Sequence, residues 1–201
     1  VGKPRGAGII FILTFTLSSV LFIPMDAELV IYLILVLAAM LSGYLDDSSQ
    51  TPWGGLKKGL IDFAIAIMAA FTYLHYNPNT FDIALFSKTV TLNPVIYGLL
   101  IVILVWVSIN VTNCSDGVDG LSGTLVLIAL ITLGIIFYFV LGHIDITKYL
   151  QIPHIKDGAG WASITFTLAG VLMGYLWHNA FPSSVLMGDA GSRALGFFIG
   201  S

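Results

Sequence analysis

Five aspartates in this chain stand where a carboxylate is not expected from local structure alone. Asp46 and Asp47 close one apolar run. Asp116 and Asp119 lie in the turn "SDGVDG", directly after another, "VIYGLLIVILVWVSINV". Asp189 sits in "MGDAGS", between glycines. Carboxylates beside hydrocarbon are costly and are seldom incidental. Hard oxygen donors suit Mg²⁺, which typically takes one or two carboxylates and completes its shell with water and substrate phosphate. Asp46 and Asp47 could hold such an ion or act as a base, or they could simply stop a helix and solvate its end. Asp116 and Asp119 share a face if their turn is helical. They could accept hydrogen bonds from ribose hydroxyls or a base N–H, or form an Asx-turn and a helix N-cap. Asp189 is the best single metal candidate. Glycines such as Gly188 let backbone approach a phosphate, and a carboxylate among them needs a cation if it is not to repel that phosphate. The plainer reading of Asp189 is an N-cap region for the last helix.

These residues must be carried by membrane helices. The chain has 201 residues, 57% hydrophobic and 9% charged, with mean hydropathy +0.96. Soluble domains carry about 25% charged residues. The expected class is therefore an all-α polytopic membrane protein whose first partner is the lipid bilayer. A β-barrel would show alternating segments of roughly ten residues, whereas these runs are longer and continuously apolar. The net charge of −3 argues against nucleic acid as a partner. Cys114 is the only cysteine, so an internal disulfide and a cysteine metal cluster are both excluded. The chain opens without Met and stops inside "ALGFFIGS". It is expected to be a fragment, one transmembrane domain over 1–201 with spans missing at both ends.

Six spans are predicted, at about 6–23, 29–45, 59–76, 94–111, 121–141 and 159–177, with a seventh beginning near Ala194. "TFDIALFSKTVTLN" alternates enough to predict a short surface hairpin, and a short helix is expected before Pro153. Alternating spans sort the loops into two sets. One carries Lys3, Arg5, Lys57, Lys58 and Arg193; the other carries Lys88, Lys148 and Lys156. Cytoplasmic loops collect Lys and Arg, which places the first set in the cytoplasm and the hairpin in the periplasm. All five aspartates, with Asn113 and Asn179, fall on that first side. Asp62, four residues after Lys58, is expected to pair with it along the helix. A one-sided cluster of carboxylates, lysines and glycine turns suits phosphoryl transfer between a water-soluble phosphate compound and a lipid. A transporter, the non-enzyme alternative, would keep its ionisable residues near the bilayer midplane.

Three motifs carry a family resemblance. "YLDDSSQ", "NVTNCSDGVDGLSG" and "VLMGDAGSRALG" resemble, in order and spacing, the motifs of the polyprenyl-phosphate N-acetylhexosamine-1-phosphate transferases. Within that family, "YLQIPHIKDGAG" and "GYLWHNAFPSSVLMGD" are most similar to the branch that uses UDP-MurNAc-pentapeptide. The runner-up is the branch that transfers GlcNAc-1-phosphate from UDP-GlcNAc. The resemblance implies a ten-span homodimer of the bacterial cytoplasmic membrane. It implies transfer to undecaprenyl phosphate with Mg²⁺, giving lipid I and UMP in peptidoglycan synthesis, and sensitivity to uridine nucleoside antibiotics. By the same resemblance Asp46 is the base for the lipid phosphate, Asp47 supports the phosphate and metal region, and Asp189 is the Mg²⁺ ligand. Asn113, Asp116, Asp119 and Asn179 belong to the nucleotide site. Departures are visible too. Gln50 stands where the family often has Lys, leaving Lys57 or Lys58 to supply the charge. Leu186 stands where an aromatic residue stacks on uracil.

Overall fold

The computed structural model describes residues 3–51, 53–77, 82–85 and 88–201; of 82–85 and 88–91 only the backbone is described. The helices are α1 (Ala7–Phe22), α2 (Ala27–Asp47), α3 (Gly55–Tyr76), α4 (Pro94–Ser115), α5 (Leu121–Ile135), α6 (Ile144–Leu150), α7 (Gly158–Asn179) and α8 (Gly188–Gly200). A π-helical stretch, Ile136–Leu141, prolongs α5. Five are long and apolar enough to cross a membrane: α2, α3, α4, α7 and α5 with its π-helical end. The predicted first span is a 16-residue apolar helix, α1. Strands β1 (Asp82–Leu85) and β2 (Lys88–Thr91) pair antiparallel; the residues joining them, 86–87, lie outside the described set.

Local chemistry sets several helix starts. The Asp26 carboxylate accepts the Leu29 N–H at 2.8 Å and caps α2. Asn93 accepts the Val95 N–H at 2.9 Å, with Pro94 in the first turn of α4. Three boundaries differ from expectation by a turn or more, one being the end of α4 at Ser115 rather than Val111. The helix α3 begins at Gly55, a turn before Gly59, and so takes in both lysines. The helix α8 begins at Gly188 rather than near Ala194. Its polar first turns did not read as a span, but α1, α2 and α4 cover them, and every residue of α8 from Ala190 to Phe197 is buried.

The core surrounds α8, and glycines bring its neighbours to backbone contact. A Cβ added to Gly43 of α2 would lie 2.3 Å from the Asp189 carbonyl carbon and oxygen. One added to Gly8 of α1 would lie 2.2 Å from the Gly191 nitrogen. Gly196 meets α4 in the same way, 2.7 Å from Ile109 Cα. In lipid, apolar helices gain nothing by hiding from their solvent, so close packing of small residues drives association. At one end of the bundle the chain before α1 lies beside the chain before α8. Leu186 N–H donates to the Pro4 carbonyl at 3.0 Å, and Ala7 N–H to the Leu186 carbonyl at 3.2 Å.

Gly43→Ala is accordingly expected to lower stability by about 1–3 kcal/mol or more through overpacking. Gly170→Ala in α7, where an added methyl meets nothing within 4 Å, should be neutral or stabilise by up to about 1 kcal/mol. Thermal aggregation midpoints of the two purified variants in one detergent check this. Equal midpoints would mean that α2 and α8 do not touch at Gly43.

Candidate active site

The last turn of α2 and the first turns of α3 and α8 converge on one charged cluster. Asp46 is buried. Its Oδ1 accepts the Trp53 N–H at 2.8 Å, and its Oδ2 is ion-paired with the Lys58 ammonium. The same ammonium donates to Asp189 Oδ2 at 2.8 Å. Lys58 therefore bridges carboxylates from two helices. Lys57 stands apart, exposed, with its ammonium 3.5 Å from the centre of the Trp53 ring, a cation–π contact. Of the two lysines the sequence left open, the structure brings only Lys58 into the cluster.

The expected Lys58–Asp62 pair does not form. Asp62 is bound instead by Arg193, whose Nε lies 3.0 Å from Asp62 Oδ1. Both side chains are almost fully buried, at 1% and 3% exposure. A carboxylate at that depth needs a partner that delivers more than one N–H, and the guanidinium fork does so. Nothing in the local spacing pointed to Arg193, which comes from a helix 131 residues away in sequence.

Asp47 reaches the N-terminus of α8, where its Oδ2 accepts the Ala190 N–H at 3.3 Å. A carboxylate there complements the helix dipole. The fit requires Gly188: its φ is +70°, and a Cβ would lie 2.5 Å from Asp47 Oδ2. Asn113 donates to Ser192 Oγ at 2.9 Å, which ties α4 to α8. Asp116, just beyond α4, has no hydrogen-bond donor on its carboxylate among the described residues. Burial, together with the negative charges of Asp189 and Asp47, pushes its pKa up to about 6.

Asp119 and Asn179 hold loops together. Asp119 pairs with Lys3 at 2.8 Å and accepts the Ser183 N–H at 3.2 Å. The Lys3 ammonium, then the Ser183 hydroxyl and N–H, hold its pKa down to about 2. Asn179 is buried; it accepts the Gly120 N–H at 3.0 Å and donates to the Val185 carbonyl at 2.9 Å. The backbone of Leu186 is engaged with the Pro4–Ala7 segment and its side chain is half-buried. Lys3, Ser183 and Ser192 complete the site through long-range contacts that no sequence spacing marks, and Trp53 does so from the loop just after α2. No group of three or more His, Cys, Asp or Glu forms a ready cation cage among the described residues. Among the described residues Asp47 and Asp116 have no cation, and Asp189 shares the one ammonium of Lys58 with Asp46.

Fold and site together define a multi-pass helical membrane protein whose acidic motifs meet a lysine at one end of the bundle. The chain belongs to glycosyl transferase family 4, whose pattern matches residues 29–201. It is 49% identical over 202 residues to the phospho-N-acetylmuramoyl-pentapeptide-transferase of Treponema pallidum, covering 99% of this chain and 56% of that protein. Proteins of the same name from Nitratiruptor sp. and Ruegeria pomeroyi are 33% and 32% identical, covering 98% and 100% of this chain and 58% of each relative. The chain thus spans little more than half the length of these curated relatives.

The raised Asp116 pKa has a stability consequence. Its charged form is disfavoured in the folded state, so its cost is fully present above pH 6, shrinks as pH falls, and vanishes below the unfolded value of about 4. Asp116→Asn should therefore raise the thermal midpoint at about pH 8 and leave it unchanged at about pH 4. Midpoints of both proteins across that range test it. A shift of equal size at both ends would locate the effect in packing rather than charge.

Proposed function

We propose that this chain is the core of an Mg²⁺-dependent transferase. It moves phospho-N-acetylmuramoyl-pentapeptide from its UDP carrier to undecaprenyl phosphate, releasing UMP and forming lipid I. A lipid-phosphate oxygen bonds to the sugar-bearing phosphorus as the diphosphate P–O bond breaks, and UMP leaves with the electron pair. The observation that carries this reading is the meeting of three acidic motifs and Lys58 at one end of an otherwise apolar bundle, in a chain whose relatives bear that transferase name.

The donor set fits a magnesium ion. Asp47 and Asp189 are accessible oxygen donors beside Asp116, which is unpaired among the described residues, and the mutual repulsion of these three groups would be relieved by a cation. Asp189 would hold the ion, with Asp47 in support; when bound, the metal neutralises diphosphate charge. Lys58 binds phosphate oxygens beside it, and the N-terminal turn of α8 adds its partial positive charge. Asp46 acts as a positioning residue for Lys58 rather than as a base. Both its oxygens are occupied, and a phosphate monoester, with a second pKa of about 6, is already largely ionised at neutral pH.

In the same reading α1 and α8 are the first and the seventh membrane segments, the hairpin is periplasmic, and the charged site faces the cytoplasm. Arg193 is buried in α8, so the loop charge favouring this orientation comes from Lys3, Arg5, Lys57 and Lys58. In a Cys114→Ser background, Ser48→Cys and Ser184→Cys should label only from the cytoplasm and Tyr149→Cys only from outside. Labelling of Ser48→Cys and Tyr149→Cys from one side would reject the topology.

For activity, the full-length protein should transfer label from UDP-MurNAc-pentapeptide, and not from UDP-GlcNAc, to undecaprenyl phosphate. Asp189→Asn should lower turnover by about 10²-fold or more without unfolding the protein. Near-normal turnover with unchanged Mg²⁺ dependence would reduce Asp189 to a helix-terminal residue. Transfer from UDP-GlcNAc instead would assign the chain to the other branch.

A further inference from the structure

Lys58 and Asp62 lie four residues apart on α3, and Asp189 and Arg193 lie four apart on α8. Each helix therefore carries an acid and a base at the spacing that forms an ion pair along its own surface. Neither intrahelical pair is made. Lys58 pairs with Asp189 at 2.8 Å, and Arg193 pairs with Asp62 through its Nε at 3.0 Å. The two helices have exchanged partners, one turn above the other. The upper pair is partly exposed, with Lys58 at 26% and Asp189 at 24%. The lower pair is buried, and the Arg193 Nη2 also reaches the Lys58 carbonyl at 3.5 Å. A buried ion pair adds little net stability over an apolar pair of similar volume, so stability alone does not account for it.

The exchange has a consequence for the site. If Arg193 were absent, the buried charge of Asp62 would have one nearby cation to recruit among the described residues, Lys58, one turn back on its own helix. If Asp62 were absent, the guanidinium would turn to Asp189, in the favoured acid-before-base order. Either event removes a group from the cluster. We propose that Asp62 and Arg193 are positioning residues that occupy each other, so that Lys58 stays between Asp46 and Asp189. The activity arm of this proposal rests on the transferase reading above.

The test uses the full-length protein with turnover expressed per folded molecule, the folded amount being the monodisperse fraction. Arg193→Met and Asp62→Asn should each lose about 10²-fold, the scale of a displaced catalytic group. The double variant, with neither competitor, should recover to within about tenfold of the parent. It is also the variant best placed to fold, because it leaves no buried charge unpaired. Parental turnover in the single variants, or a double variant no better than they are, overturns the proposal. A thermal cycle on Lys58→Met and Arg193→Met decides it without any assay of transfer. If Lys58 moves to Asp62 when Arg193 is lost, the double variant's midpoint falls by more than the two single falls together. Additive falls mean that Lys58 never changes partner. Should the parent transfer neither sugar, the proposed function fails while this cycle still judges the pair.

Discussion

The charged end of the molecule depends on backbone contact between α2 and α8 at Gly43. That contact sets the Asp46-Asp47 pair, one turn further along α2, against the first turn of α8, where Asp189 projects. A side chain at position 43 would push α8 away and separate acids that now share one lysine and one helix terminus. Gly8 and Gly196 apply the same rule on the other flanks of α8. The helix is held from three directions by neighbours that approach to van der Waals distance of its main chain. In a bilayer such packing is a main source of tight association beside interhelical hydrogen bonds, because lipid tails are as apolar as the side chains they touch.

With the helices fixed, electrostatics divides five outwardly similar aspartates into different roles. Asp119 and Asp46 have found cations, Lys3 and Lys58, and backbone N–H donors as well. They order the chain around them. Among the described residues Asp116 has neither, and burial, with the repulsion of Asp189 and Asp47, raises its pKa. Among the described residues Asp47 is bound by helix-terminal N–H groups, those of Ala190 and Asp189, and by no cation. Negative charge thus collects on the residues that keep some exposure, beside one ammonium. In the function proposed above, such a surface would take a divalent cation and, through it, a diphosphate.

Much of the framework was legible from residue order. Long apolar runs announce their own helices, since a hydrocarbon solvent leaves backbone groups no partner outside the segment. Asp26 and Asn93 mark helix starts by ordinary capping. Where local reading fell short, tertiary contact had intervened. The helix α8 starts six residues before Ala194 because neighbouring helices bury polar turns that look like loop, whereas α3 takes in both lysines on a first turn that is still largely exposed. The expected Lys58–Asp62 pair was sound as local chemistry, and it was displaced by an arginine that only the fold brings near.

The sequence by itself determined the class of molecule, the membrane helices and the three acidic motifs, because hydropathy and short-range spacing are properties of a segment. It also carried the family, through motifs whose residue types are tied to phosphate chemistry. Only the tertiary structure decided that Lys58 rather than Lys57 enters the cluster, that Asp119 and Asn179 tie loops together, and that Arg193 claims Asp62. Each of these choices is a competition between possible partners, settled by which side chains the packed helices and loops bring together.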